Sequence, residues 1–104
     1  MLDARGYTIS TYEGDYGEEL PINIVRGDIL DTDTVKFILE DRFRNVIITK
    51  ELKMSQNTCF ISFTAEEAAK LQADTYLWGL KQYRGDNLVD TLTANNLFRV
   101  LRGQ

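Results

Sequence analysis

Short apolar runs alternating with polar residues dominate this chain, and that period of two is the mark of strands with one buried face. Tyr7 to Tyr12, rich in β-branched and aromatic side chains, predicts a first strand, and Gly14, Asp15 and Gly17 supply turn chemistry after it. Leu20, Ile22 and Ile24 alternate with Pro21 and Asn23. Because Pro21 has no N–H to give a ladder, this strand belongs at an edge, or Pro21 at a strand start. Arg26 to Asp33 reads as a connection. Val35, Phe37 and Leu39 then alternate up to a turn at Asp41–Asn45, and Val46–Leu52 returns, so residues 34–52 predict a β-hairpin. Met54–Asn57 reads as a break and Thr58–Phe63 as another strand.

The period changes at Thr64. Thr64-Ala65-Glu66-Glu67 matches a capping box, in which the threonine hydroxyl and the glutamate carboxylate each satisfy a backbone N–H of the other's residue. The helix it opens, near 64–71, is too short to stand alone in water and predicts a crossing between sheets. Strand character returns at Thr75, with Tyr76, Trp78 and Leu80 on one core-facing side. Arg84-Gly85-Asp86-Asn87 predicts a hairpin turn, Leu88–Thr93 its return, Ala94–Asn96 a break and Leu97–Leu101 a closing strand. Seven or eight strands at this spacing, with one helical crossing, predict an all-β single domain over 1–104: a β-sandwich in preference to a small barrel. The closing strand is the expected edge, and so the expected place for self-association or strand pairing with another protein.

Composition removes several classes of function. The chain has no histidine and one cysteine, which excludes Ser-His-Asp and Cys-His catalysis, thiolate zinc sites and an internal disulfide. Cys59, flanked by Thr58 and Phe60, reads as a small buried hydrophobe. A single cysteine rules out the disulfide-bridged antibody type of sandwich but not the wider immunoglobulin-like architecture. A net charge of −4 opposes binding to nucleic acid or to an anionic membrane surface. No signal peptide or membrane-spanning run is visible, so synthesis in a cytoplasm is expected. The sequence contains no phosphate-binding or dinucleotide-binding glycine motif.

Asp28, Asp31 and Asp33 fall close together in one connection, as calcium ligands can, but their spacing does not reproduce an EF-hand loop. They read as solvated carboxylates and turn caps, with no metal and no cofactor expected. Tyr16, in a Gly-rich acidic loop, and Tyr83, beside a turn, are the aromatics expected to be exposed. The candidate contact surface is therefore Asp15, Tyr16, Asp28, Asp31, Asp33 and Tyr83. Exposed aromatics and loop carboxylates would equally serve a module that binds carbohydrate or a host surface protein.

Three segments carry a family resemblance. They are Tyr12-Glu13-Gly14-Asp15 leading into Leu20-Pro21-Ile22, then Asp33-Thr34-Val35-Lys36-Phe37, then Phe63-Thr64-Ala65-Glu66-Glu67 through Asp74-Thr75-Tyr76-Leu77-Trp78-Gly79-Leu80 to Phe98-Arg99-Val100. In that order they resemble the small immunoglobulin-like domains of tailed bacteriophages and prophages, such as the N-terminal domain of the baseplate upper protein. Asp74 stands where that family usually has Gly, and Gly79 where an acidic residue is common. The resemblance implies a non-catalytic virion module of the tail or baseplate, docking to other phage structural proteins or to itself, without substrate.

Overall fold

The computed structural model describes all residues except 1, 6, 25–28, 31, 56 and 104, with backbone only for 3–5 and 53–55. The described chain is mostly strand: β1 (Asp3–Arg5), β2 (Thr8–Tyr12), β3 (Leu20–Asn23), β4 (Thr34–Glu40), β5 (Val46–Ser55), β6 (Thr58–Ile61), β7 (Asp74–Arg84) and β8 (Asn87–Leu101), with one helix, α1 (Ala65–Ala69). The strands follow the order β1-β2-β8-β7-β4-β5-β6-β3. Two sheets share that order because β5 belongs to both. Its first part, Val46 to Leu52, pairs with β4, and its last residues, Lys53 to Ser55, pair with β6. The larger sheet is mixed, since β2 runs parallel to the end of β8 while its other pairs are antiparallel. The smaller sheet joins the end of β5 to β6 and β3.

Alternation sets the core. In β4 every second residue, Val35, Phe37 and Leu39, is fully buried, and β7 turns Tyr76, Trp78, Leu80 and Gln82 inward in the same way, with Tyr76 keeping slight exposure. Phe37 stands at the centre. Its ring stacks on Trp78 at 5.9 Å and meets Phe63 and Phe98 edge-on at 5.9 and 6.4 Å. Edge-to-face and offset contacts of this kind add about 0.5–1.5 kcal/mol each beyond the area they bury.

β5 breaks the alternation with Lys50, which shares the inward side with Ile48 and Leu52 and lies opposite Phe37. Its ammonium lies 5.3 Å from the centre of the Phe63 ring and donates to the Ser62 carbonyl and to Glu67 Oε1 (2.7 Å). That glutamate is the capping-box residue: its Oε1 accepts from the Thr64 N–H (2.9 Å), and the Thr64 hydroxyl accepts from the Glu67 N–H (3.2 Å). A helix of five residues is thus anchored at its first turn by a cation rooted in the opposite sheet. Burial pushes the Glu67 carboxyl upward, yet the Lys50 hydrogen bond and charge and the Thr64 N–H outweigh it, and its pKa lies below the ordinary value. As expected, α1 carries the chain from the small sheet back to the large one.

Three expectations change. Ala94–Asn96 does not end a strand: β8 runs unbroken through it, and the register against β7 slips at three places, between Trp78 and Leu80, Leu80 and Lys81, and Gln82 and Tyr83. Asn95 takes a positive φ of 59° there, and the bulged backbone passes so close to β7 that a Cβ on Gly79 would sit 2.8 Å from the Thr93 carbonyl oxygen. A side chain at this position would press on the bulged backbone, so the site suits glycine. The break at Met54–Asn57 also starts later than expected, because β5 continues to Ser55 as it turns into the second sheet.

The largest correction concerns the closing strand. Leu97–Leu101 is not an edge, because β7 pairs with it on one side and β2, in parallel, on the other. The outer positions of the order belong to β1 and β3. In β3 the Ile24 N–H donates to the Asn57 carbonyl, so Ile22 and Leu20 turn their peptide groups toward β6, and Pro21 and Asn23 turn theirs to the open side. Pro21 therefore removes a donor from the exposed edge, where its missing N–H blunts strand addition.

Candidate functional site

Among the sequence-predicted contact residues, Asp15 and Tyr16 lie in the exposed loop 14–19 between β2 and β3, with Tyr16 62% exposed. The Gly17 N–H fixes this loop to the Phe63 carbonyl just ahead of α1 (3.0 Å). Asp28 and Asp31 lie outside the described residues. Asp33 is committed elsewhere. Its carboxylate accepts from Arg84 Nε (2.9 Å) and Nη2 (3.0 Å), from Gln82 Nε2 (2.7 Å) and from the Leu30 N–H (3.0 Å). The Arg84 hydrogen bonds, then the Leu30 N–H, hold its pKa far below the carboxylate range. This fork ties the connection ahead of β4 to the end of β7 and leaves Asp33 shielded from solvent. Tyr83 is half-buried and carries the Lys36 ammonium 4.7 Å over its ring, so one aromatic face is taken. The four described candidates do not converge on one place: Asp15 and Tyr16 share loop 14–19, whereas Asp33 and Tyr83 lie at the paired ends of β4 and β7.

The described residues bring no three carboxylate or thiol groups together in an arrangement able to hold a metal ion. Cys59 is fully buried, and desolvation raises its thiol to about 11, far from the thiolate that nucleophilic chemistry needs. No helix of the described residues is long and apolar enough to cross a membrane.

A site that the sequence did not single out lies at the β4–β5 turn. Asp41 builds it: its Oδ1 accepts from the N–H groups of Phe43 (2.8 Å) and Asn45 (2.9 Å), its Oδ2 from the Asn45 amide (3.1 Å). Two backbone bonds, Asp41 N–H to Asn45 O and Arg44 N–H to Asp41 O, close the loop. The Asn45 N–H, with further help from its side chain and the Phe43 N–H, lowers the Asp41 pKa. Arg44 is held at φ 70°, a conformation that non-glycine residues seldom adopt, and its guanidinium is fastened to Asn95 Oδ1 at 2.6 Å. The product is a fixed turn that presents Phe43 outward, 74% exposed, the most exposed large apolar residue described.

Beside Phe43 runs a groove of about 200 Å³, floored by Ile47 and Tyr76 and walled by Arg42, Lys70 and Asp74. The Arg42 guanidinium lies 5.3 Å from the Phe43 ring centre and 3.9 Å from Asp74. The Tyr76 hydroxyl donates to the Gln72 carbonyl (2.9 Å), which fixes the floor. An exposed aromatic, a stacked arginine and an apolar floor with a charged rim are the parts from which protein-binding hot spots are made. The signal was in the sequence: Phe43 is a lone aromatic between Arg42 and Arg44 inside a turn, where no strand periodicity can carry it to the core.

No protein-family model matches the chain, and no curated protein matches it.

Proposed function

We propose that this chain is a non-catalytic assembly module of immunoglobulin-like fold, a structural part of a tailed-phage or prophage particle that acts by protein–protein contact. The observation that carries it is the turn 41–45, whose hydrogen bonds hold Phe43 in water. An exposed phenylalanine costs solubility, and a rigid scaffold that keeps it exposed lowers the ordering cost of docking it. The absence of histidine and the inert Cys59 thiol support the non-catalytic part of the reading.

Two features support the immunoglobulin-like architecture. A larger sheet of β1, β2, β8, β7, β4 and the first part of β5 is joined through the end of β5 to a smaller sheet with β6 and β3, and the helical corner returns the chain from the smaller to the larger. Near the start of β7, Tyr76 bonds back to the backbone of Gln72, the geometry that closes the corresponding corner in immunoglobulin-type domains. The phage assignment rests on the three resembling segments. Mass spectrometry of purified particles from the source tests it. The chain is expected in particles or in their assembly intermediates, encoded among head, neck or tail genes. Its absence from both, with a gene remote from such neighbours, overturns the proposal.

A further inference from the structure

Arg44 and Asn95, the non-glycine residues of positive φ among the described residues, are far apart in sequence yet bonded to each other: the Arg44 guanidinium donates to Asn95 Oδ1 at 2.6 Å. Turns ordinarily put glycine or asparagine in that conformation, so an arginine there is costly, and such outliers gather at functional sites. Two register irregularities fall close by, between Leu39 and Glu40 against β5 and between Trp78 and Leu80 against β8. Bulges are likewise frequent beside active sites. These departures from regular backbone border one hollow of about 180 Å³ on the outer face of the larger sheet. Gly79, paired with Ile38, puts no side chain into it. Ile38 and Val46 give the hollow an apolar side, and Glu40, Lys81 and Asn95 give it a polar one.

The charges around it do not cancel. Glu40 is answered by Arg44 Nη1 at 3.5 Å. In the next row across the sheet, Glu51 opposes Lys36, Lys36 opposes Lys81, and Lys81 opposes Thr91. Lys36 therefore has a carboxylate on one side, whereas Lys81 has a second cation and a hydroxyl. Asp90, the one acid of β8, opposes Gln82, which faces inward. Lys81 forms no ion pair among the described residues. Arg44 prepares a second donor. A guanidinium can only donate, so it takes the amide oxygen of Asn95 and leaves Nδ2 without a partner among the described residues.

We infer that this hollow is a binding site for a small aliphatic carboxylate, with its methyl groups against Ile38 and Val46 and its charge on Lys81 and the Asn95 amide. One uncompensated cation asks for one negative charge, and the apolar side asks for a short branched or straight hydrocarbon. Size limits the ligand: a cavity of about 150 Å³ takes one benzene, so this hollow suits roughly seven non-hydrogen atoms. The polar side needs no rearrangement, because Arg44 already neutralises Glu40 and orients Asn95. Such a site is independent of a role in assembly.

Amide chemical-shift mapping on the full, isotope-labelled chain tests this, with isovalerate as the probe and the uncharged isovaleramide as its control. Isovalerate is expected to saturate with a Kd on the order of 1 mM and to move the amides of Gly79, Lys81 and Asn95. Isovaleramide should bind at least about fivefold more weakly, and Lys81→Gln should weaken isovalerate by a similar factor. Arg44→Gly gives the turn the residue its φ favours, so its melting temperature should hold or rise. The same variant should nevertheless bind isovalerate several-fold more weakly, because Glu40 is left uncompensated. That pairing of a retained fold with lost binding is not expected of a merely structural arginine. A tripeptide ending in leucine, as its free acid and as its amide, separates two sources of this chemistry. Tighter binding of the peptide acid than of isovalerate supports the site with a protein's chain end as occupant, and weaker binding supports it with a free acid. Shifts that do not saturate or that scatter away from the hollow, equal binding of isovaleramide, or Lys81→Gln and Arg44→Gly binding like wild type overturn the inference.

Discussion

Phe37 and Phe43 belong to the same β-hairpin, yet one is wholly buried and the other is 74% exposed. The difference lies in what holds each ring in place. Phe37 sits where alternation directs it, among Trp78, Phe63 and Phe98, and the packing of those rings fixes it. Phe43 is placed by hydrogen bonds to its backbone, with only Arg42 over its ring. The two aspartates that flank β4 show the same contrast. Asp33 bonds to Gln82 and Arg84, distant in sequence, and ties one strand to another. Asp41 bonds within its own turn and shapes only that turn. One end of the hairpin is thus built into the fold, and the other is built to be presented.

The largest effect is expected at the centre. Phe37→Ala removes the ring shared by three aromatic contacts and leaves a cavity that neighbouring strands cannot close, so unfolding free energy should fall by about 3–5 kcal/mol. Urea unfolding measures it. A loss below about 1 kcal/mol would mean that the aromatic cluster is not the keystone of the core.

The next test separates the two aspartates by pH. The folded-state pKa of Asp33 is depressed, so its contribution is fully present above the ordinary carboxylate value near 3.8 and is lost as pH falls from there toward the folded value. Asp33→Asn should therefore lower the urea midpoint at pH 7, and the gap from wild type should narrow once the pH drops below about 4. A gap of constant size from neutral pH to pH 3 would show that the Arg84 fork is not what the carboxylate contributes.

The legible part of this molecule is the part that repeats with a short period. Val35, Phe37 and Leu39 announced their strand and its buried side, and Thr64 with Glu67 announced the helix start, because each rests on neighbours a few residues away. What stayed hidden depends on distant chain. Leu97–Leu101 looks like an edge because it comes last, but edge status is a property of sheet order, and β2 from the other end of the chain covers it. Ala94–Asn96 offers one methyl group and two amides and so reads as a break, whereas the ladder from β7 and the gap above Gly79 carry the backbone through as a bulge. Of the candidate contact residues, Asp33 illustrates the same limit: its partners Gln82 and Arg84 cannot be inferred from the acidic run around it. Phe43 was hidden for the opposite reason. Its neighbours form a turn, and turn chemistry fixes the backbone without saying what an exposed side chain meets.

The smallest effect on stability is expected at that residue, and it is the most informative. Phe43→Ser deletes a ring that touches little besides Arg42, and its backbone N–H can still donate to Asp41, so unfolding free energy should change by no more than about 0.5 kcal/mol. Hydrogen exchange at the Asn45 amide should also be unchanged, because Asp41 rather than Phe43 protects it. A loss of several kcal/mol, or deprotection of Asn45, would mean that the ring folds back onto the groove over Ile47 in solution and belongs to the core after all. Neutrality in both measurements leaves an aromatic side chain that the fold does not need, kept in water by a turn that the sequence goes to some length to specify.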